Sequence, residues 1–107
     1  MAELVTNDIR WKKGETGTHN FIIFESDGVT RKNITGITFT FKFWVKDAVA
    51  NKGTAVLSAT DAVNGEALIT VSSGFTDTVE DYLGELQGDN GNYTSTFNVF
   101  VEPSAPA

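Results

Sequence analysis

The chain has 107 residues, of which 8 are basic and 14 acidic, so its formal net charge is −6. Because it contains no cysteine and only one histidine, a disulfide framework, a thiolate zinc site and a cysteine nucleophile are excluded, and a histidine-rich metal site has little material. The acidic balance argues against nucleic acid and anionic membranes as partners, since both bind basic surfaces.

Alternation of apolar and polar side chains is the dominant pattern, and it predicts strands. Residues 21–24 form a short apolar run that indicates an enclosed strand. Over residues 37–45 every second side chain is apolar, so this strand has one apolar and one mostly polar face. The alternation places Trp44 on the face opposite Phe41. Two further alternating strands are predicted at residues 66–71 and 97–101.

Turn residues separate these strands. Ser-Asp-Gly at 26–28 closes the first strand, and Asn-Lys-Gly at 51–53 follows the long one. Asn64-Gly65 lies between two apolar runs, at 55–57 and 67–69, and predicts a hairpin. The Gly- and Asn-rich residues 88–92 predict another hairpin that leads into the last strand.

The number and spacing of these elements predict a β-sandwich, because about seven short strands are separated by turns every ~8–12 residues. Residues 75–86 come nearest to a helical pattern and would form a turn or two of helix at most. One domain is predicted over residues 1–102, and the Pro- and Ala-rich residues 103–107 are interpreted as a tail or linker. The predicted core consists of Phe39, Phe41, Phe43, Ile69, Val71, Phe97 and Val99.

The order of features along the whole chain resembles a known family. The features that carry the resemblance are a charged start at 11–17, the apolar strand at 21–24, Asn-Ile-Thr-Gly at 33–36 opening into the strand at 37–42, Ala-Thr-Asp-Ala at 59–62, Tyr-Leu-Gly-Glu-Leu at 82–86, and the last strand at 97–101. In this order the chain is similar to the N-terminal domain of phage baseplate upper proteins. The resemblance implies an all-β, immunoglobulin-like antiparallel β-sandwich.

The same resemblance implies a function. Members of that family are structural parts of phage tails, so we expect a non-catalytic module of the virion tail or baseplate, made in the host cytoplasm. Its partners would be neighbouring virion proteins and copies of itself, with no cofactor. Trp11, Trp44 and Phe100 are the candidate interface residues, chosen for their size, apolarity and predicted outward placement.

Three other chemistries have some support in the residues. Ser, His and Asp are all present, but the chain has no Gly-x-Ser-x-Gly elbow, and the spacing suggests no partner for His19, so we expect no enzyme. Residues 89–92 offer oxygen ligands for calcium but lack the later Glu of an EF-hand loop, and a hairpin turn is the favoured interpretation. The alternative function is a small carbohydrate-binding or receptor-recognition module. Its aromatic platform would consist of Trp11, Trp44, Tyr82 and Tyr93.

Overall fold

Strands dominate the computed structural model, which describes residues 4–47 and 51–103. A single turn of 3-10 helix, Ala62–Asn64, interrupts them. In chain order the strands are β1 (Ile9–Lys12), β2 (Gly17–Ile22), β3 (Phe39–Val45), β4 (Asn51–Val56), β5 (Ser58–Asp61), β6 (Glu66–Val71), β7 (Glu80–Gly88) and β8 (Phe97–Glu102). No helix within the described ranges has the length and apolarity needed to cross a bilayer.

The strands form two sheets, so the predicted all-β sandwich is confirmed. One sheet has five strands in the order β1-β8-β7-β3-β4, and the other has three in the order β2-β6-β5. The pairs within each sheet are antiparallel except β1 with β8, which is parallel. The larger sheet is therefore mixed, whereas the sequence predicted only antiparallel pairing, and the described residues hold eight strands rather than about seven.

The core lies between the sheets and is rich in aromatic rings. All seven predicted core residues are buried. Phe41 stacks on Phe43 with 5.1 Å between ring centroids and on Phe97 with 6.1 Å, and Tyr82 lies edge-on to Phe43 at 5.3 Å. Offset and edge-to-face ring pairs add stabilisation beyond the apolar area they bury. Because the chain has no cysteine, ring packing joins the two sheets without a disulfide.

The predicted turn at residues 51–53 is wrong, because β4 already begins at Asn51. The chain turns earlier, at Lys46 and Asp47, and Asp47 adopts a φ of 74°; residues 48–50 lie outside the described ranges. Gly53 serves close packing instead of a turn. A Cβ atom there would lie 2.6 Å from Cε1 of Phe75 and 2.8 Å from Cε1 of Phe43. Only glycine lets β4 approach these rings so closely.

Both predicted hairpins are present. Asn64-Gly65 connects β5 to β6, and Gly65 has a φ of 72°, the left-handed conformation that glycine adopts without steric cost. The strand before this turn is β5, not residues 55–57, since Leu57 still donates its backbone N–H to the Phe39 carbonyl in the other sheet.

Residues 75–86 contain no helix, which is within the limit of a turn or two set by their pattern. Strand β7 begins at Glu80, and its residues Tyr82, Gly84 and Leu86 face the core in strict alternation. Strand β8 ends at Glu102. The tail or linker predicted at 103–107 stays a prediction, since residues 104–107 lie outside the described ranges.

Candidate functional site

The outer face of the five-stranded sheet is the side turned away from the core. Alternation along β3 and β7 buries Phe43 and Tyr82 between the sheets and leaves Trp44 and Leu83 on the outside, both partly exposed. On β8 the same alternation places Phe100 outward. Large apolar side chains on an outward strand face are candidates for contact with another molecule.

The strand register places these three apolar side chains at neighbouring positions of the outer face. Trp44 pairs directly with Leu83 across β3 and β7. Leu83 pairs with Asn98 on β8, and Phe100 lies two residues further along that strand. Side chains directly opposite each other have Cβ atoms about 5 Å apart, and diagonal neighbours stay within reach of aromatic rings. Trp44, Leu83 and Phe100 are called the outer strip below.

Charged side chains border the outer strip at the β1 edge. The guanidinium of Arg10 lies 4.6 Å from the ring centroid of Phe100. Arg10 Nη1 is also 3.3 Å from Glu102 Oε2, and Lys12 Nζ is 3.9 Å from Glu102 Oε1. Such exposed ion pairs contribute little to stability. Their effect is to keep this end of the face charged and to hold Arg10 over the Phe100 ring.

Opposite charges face each other across the middle of the sheet. Lys42 on β3 pairs in register with Glu85 on β7. Within the described part of the chain, the Lys42 ammonium makes no ion pair or hydrogen bond, whereas the Glu85 carboxylate accepts a hydrogen bond from Gln87 Nε2 at 2.8 Å. The Lys42 ammonium is therefore available to an external group.

An open groove of about 420 Å³ continues the outer face beyond the outer strip. It is lined by Thr38, Thr40, Lys42, Gln87, Gly88, Asp89 and Tyr93. The β7–β8 hairpin builds one wall: Gly88 donates its backbone N–H to the Asn92 carbonyl at 2.7 Å, and Asp89 donates to the Thr38 carbonyl at 3.0 Å. The groove thus lies where β3, β7 and this hairpin meet.

The outward placement predicted for Trp11 is wrong, because its side chain is only 2% exposed. Pairing with β8 turns Ile9 and Trp11 inward together, and the Trp11 ring lies edge-on to Phe41 and Phe43. Its Nε1 donor finds no acceptor among residues 4–47 and 51–103. Trp44 and Phe100 do lie on the outside, as predicted, and their contact role stays a prediction.

The predicted four-residue aromatic platform is not assembled. Trp11 and Tyr82 are core residues, Trp44 is on the outer strip, and Tyr93 is in the groove wall with 49% of its side chain exposed. Any sugar site would have to be built around Tyr93 or Trp44 separately.

His19 packs on the aromatic core. Its ring is edge-on to Phe21 at 4.8 Å and to Trp11 at 5.7 Å. Burial lowers the pKa of His19 below its ordinary value of 6.5, and the nearby Glu15 carboxylate opposes that effect.

In the described part of the chain, no three or more His, Cys, Asp or Glu side chains cluster to hold a metal ion. In the turn at residues 89–92, whose oxygen atoms are possible calcium ligands, Asn90 Oδ1 instead accepts the Asn92 backbone N–H at 3.2 Å.

Comparisons with known proteins bear on the fold. No family model and no curated protein matches the chain. Its fold is similar to that in the crystal structure of the RIG-5 IG1 homodimer, with a TM-score of 0.50 over 97% of this chain and 100% of that one. The chain has an immunoglobulin-like fold. Sequence identity between the two is 8%, so the similarity extends to the fold alone.

Sequence patterns did not identify two parts of the immunoglobulin-like domain's surface. Leu83 was not predicted as a contact residue, although its alternation with Tyr82 and Gly84 carries that information. The groove was not predicted at all, because Thr40 and Gln87 come together only through the pairing of β3 with β7.

Proposed function

We propose that this domain is a non-catalytic structural module that joins protein chains in an assembly, with the outer strip as its contact surface. The observation that supports the proposal is the direct pairing of Trp44 with Leu83 on the outward face of the sheet, extended by Phe100. Aromatic side chains are enriched at protein interfaces, where a few of them supply most of the binding energy.

The partner that fits this face best is a second copy of the chain. A two-fold axis parallel to the strands and passing between β3 and β7 would place each β3 over the other copy's β7. Trp44 is level with Leu83, and Lys42 is level with Glu85. In such a dimer, Trp44 of one copy would therefore contact Leu83 of the other, and the Lys42 ammonium of one copy would lie opposite the Glu85 carboxylate of the other. The RIG-5 IG1 homodimer is a precedent for self-association in this fold.

The assembly we propose is a phage tail or baseplate, where the domain would also bind other virion proteins. This part of the proposal rests on the resemblance of the sequence to baseplate upper proteins. Position of the gene among tail and baseplate genes would support it. A position within an operon for surface adhesion or metabolism would contradict it.

Sedimentation equilibrium of the full chain tests the contact surface. We expect the wild-type chain to dimerise with increasing concentration and Trp44→Ala to shift it to a monomer that remains folded. Val63→Ala is the matched control, because Val63 is 64% exposed on the 3-10 turn, away from the outer strip. A wild-type chain that stays monomeric, or a Trp44→Ala dimer as tight as wild type, would contradict self-association through this face.

A further inference from the structure

We infer that the groove beside Tyr93 is a binding site for a neutral saccharide, and because Lys42 belongs both to the groove and to the proposed dimer interface, the two uses of this face exclude each other. Its volume of about 420 Å³ falls within the range of about 300–1,000 Å³ that is typical of small-molecule sites. It is open to solvent along the outer face, so the ring of a sugar within a longer chain could enter it from the side.

The polar groups of the groove match a ligand with many hydroxyls. Thr40 offers a hydroxyl, Gln87 an amide oxygen, Lys42 an ammonium and Asp89 a carboxylate. Neither the Thr40 hydroxyl nor the Lys42 ammonium is engaged by any residue in the described ranges. A sugar hydroxyl both donates and accepts hydrogen bonds, so neighbouring hydroxyls can satisfy donors and acceptors set this closely.

Tyr93 supplies the apolar surface that such a ligand also needs. Half-exposed, its side chain presents a ring that can cover the C–H face of a pyranose. The backbone around it is already fixed, because Thr94 donates its N–H to the Leu86 carbonyl at 3.0 Å and its hydroxyl accepts the Leu86 N–H at 3.0 Å. A backbone held in place before binding loses little conformational entropy when the ligand arrives.

The charges of the groove favour a neutral ligand over an anion. Lys42 contributes one positive charge and Asp89 one negative charge. Glu85 adds a second carboxylate directly across from Lys42. A phosphate or a sialic acid would meet at least as much repulsion as attraction, whereas a neutral hexose meets only hydrogen-bonding groups.

The test is an amide chemical-shift titration of the full chain, at a protein concentration where it is monomeric, with a panel of neutral mono- and disaccharides up to ~10 mM, the weak range expected of a small open site. We expect shifts confined to residues 38–42 and 87–93. Tyr93→Ala should weaken binding at least about tenfold, as truncation of an anchor residue does, while Tyr93→Phe keeps most of it.

Thr40→Val tests whether saccharide binding needs the Thr40 hydroxyl or is weakened by any substitution of threonine by valine. It removes the hydroxyl from the groove, and Thr70→Val, at an exposed position on the other sheet, is the matched control. Unshifted core amides verify that the Tyr93 variants remain folded. Absence of binding by every saccharide in the panel would overturn the proposal. So would shifts outside the groove, equal weakening by Thr40→Val and Thr70→Val, or tighter binding of inorganic phosphate or sialic acid.

Discussion

Trp44 and Leu83 lie directly opposite each other on β3 and β7, on the sheet face turned away from the core. Their sequence neighbours Phe43 and Tyr82 are in ring contact on the other face, with centroids 5.3 Å apart. One pair of strands therefore carries a core contact on one side and the proposed contact surface on the other. Substitutions at adjacent residues should therefore affect different properties, with one lowering the stability of the fold and the other weakening self-association.

Phe43→Ala and Trp44→Ala are the first such comparison. Phe43 is fully buried among rings, so its truncation should lower the free energy of unfolding by about 3–5 kcal/mol. Trp44→Ala should lower it by less than about 1.5 kcal/mol, because no cavity forms in the core. Urea denaturation at low protein concentration, where the chain is monomeric, measures both. Equal losses would place Trp44 in the fold's own packing and remove it from the contact surface.

Leu83→Lys places a charge in the middle of the outer strip. Burying that charge against a second copy would be unfavourable, so self-association should weaken at least about tenfold. The monomer should lose less than about 1 kcal/mol, since the ammonium reaches solvent. Sedimentation and urea denaturation give the two quantities. Val63→Lys serves as the control, and dimerisation that survives Leu83→Lys would exclude the outer strip.

Gly53→Ala tests the close approach of β4 to the core. Since the added Cβ would lie 2.6 Å from Phe75 and 2.8 Å from Phe43, we expect a loss of about 1–3 kcal/mol. Gly74→Ala is the matched control, because its nearest contact would be 3.9 Å away, at Ser72 Oγ. That variant should be neutral or slightly stabilising. If both glycines tolerate alanine equally, the packing of Phe43 and Phe75 against β4 is looser than described.

His19 should make stability depend on pH. Because its pKa is lowered in the folded chain, the unfolded chain binds a proton first as the pH falls through 6.5. Above pH 6.5, His19 is neutral in both states and does not lower the free energy of unfolding. Below pH 6.5 the free energy of unfolding declines, until His19 is protonated in the folded chain as well. Urea denaturation at about pH 7.5 and pH 5 measures the decline. It should be smaller in His19→Phe, and an undiminished decline would assign it to other groups.

The loss of folding stability at strongly acidic pH has a different origin from the decline due to His19. The Thr30 hydroxyl and the backbone N–H groups of Thr30 and Val29 lower the pKa of Asp27. The Lys52 ammonium lowers that of Asp77. Their contribution is present above the ordinary value of 3.8 and is lost as the pH falls below it. It does not overlap the His19 window.

Local alternation was enough to predict β3, its buried Phe row and the outward Trp44, because period two needs no information from elsewhere in the chain. The placement of Trp11 could not be predicted this way. It lies among Arg10, Lys12 and Lys13 in sequence, and only pairing with β8, about ninety residues later, turns it inward.

The same limit explains the error at β4 and the missed groove. Gly53 resembles a turn residue in the sequence Asn-Lys-Gly, but its smallness is required by two rings that come from β3 and from residue 75. The groove joins Thr38 to Asp89, 51 residues apart, through the hydrogen bond from the Thr38 N–H to Asp89 Oδ1 at 3.3 Å. Long-range pairing of this kind has no local pattern in the sequence.

Charge exchange between Lys42 and Glu85 tests the central claim most directly, since the two are in register on β3 and β7 and each would face the other residue in a second copy. Lys42→Glu and Glu85→Lys should each weaken self-association at least about tenfold, because like charges then meet across the interface. A mixture of the two variants should form a one-to-one heterodimer at least as tight as the wild-type dimer. Two variants that remain monomeric when mixed, while both fold as wild type, would contradict assembly through this face.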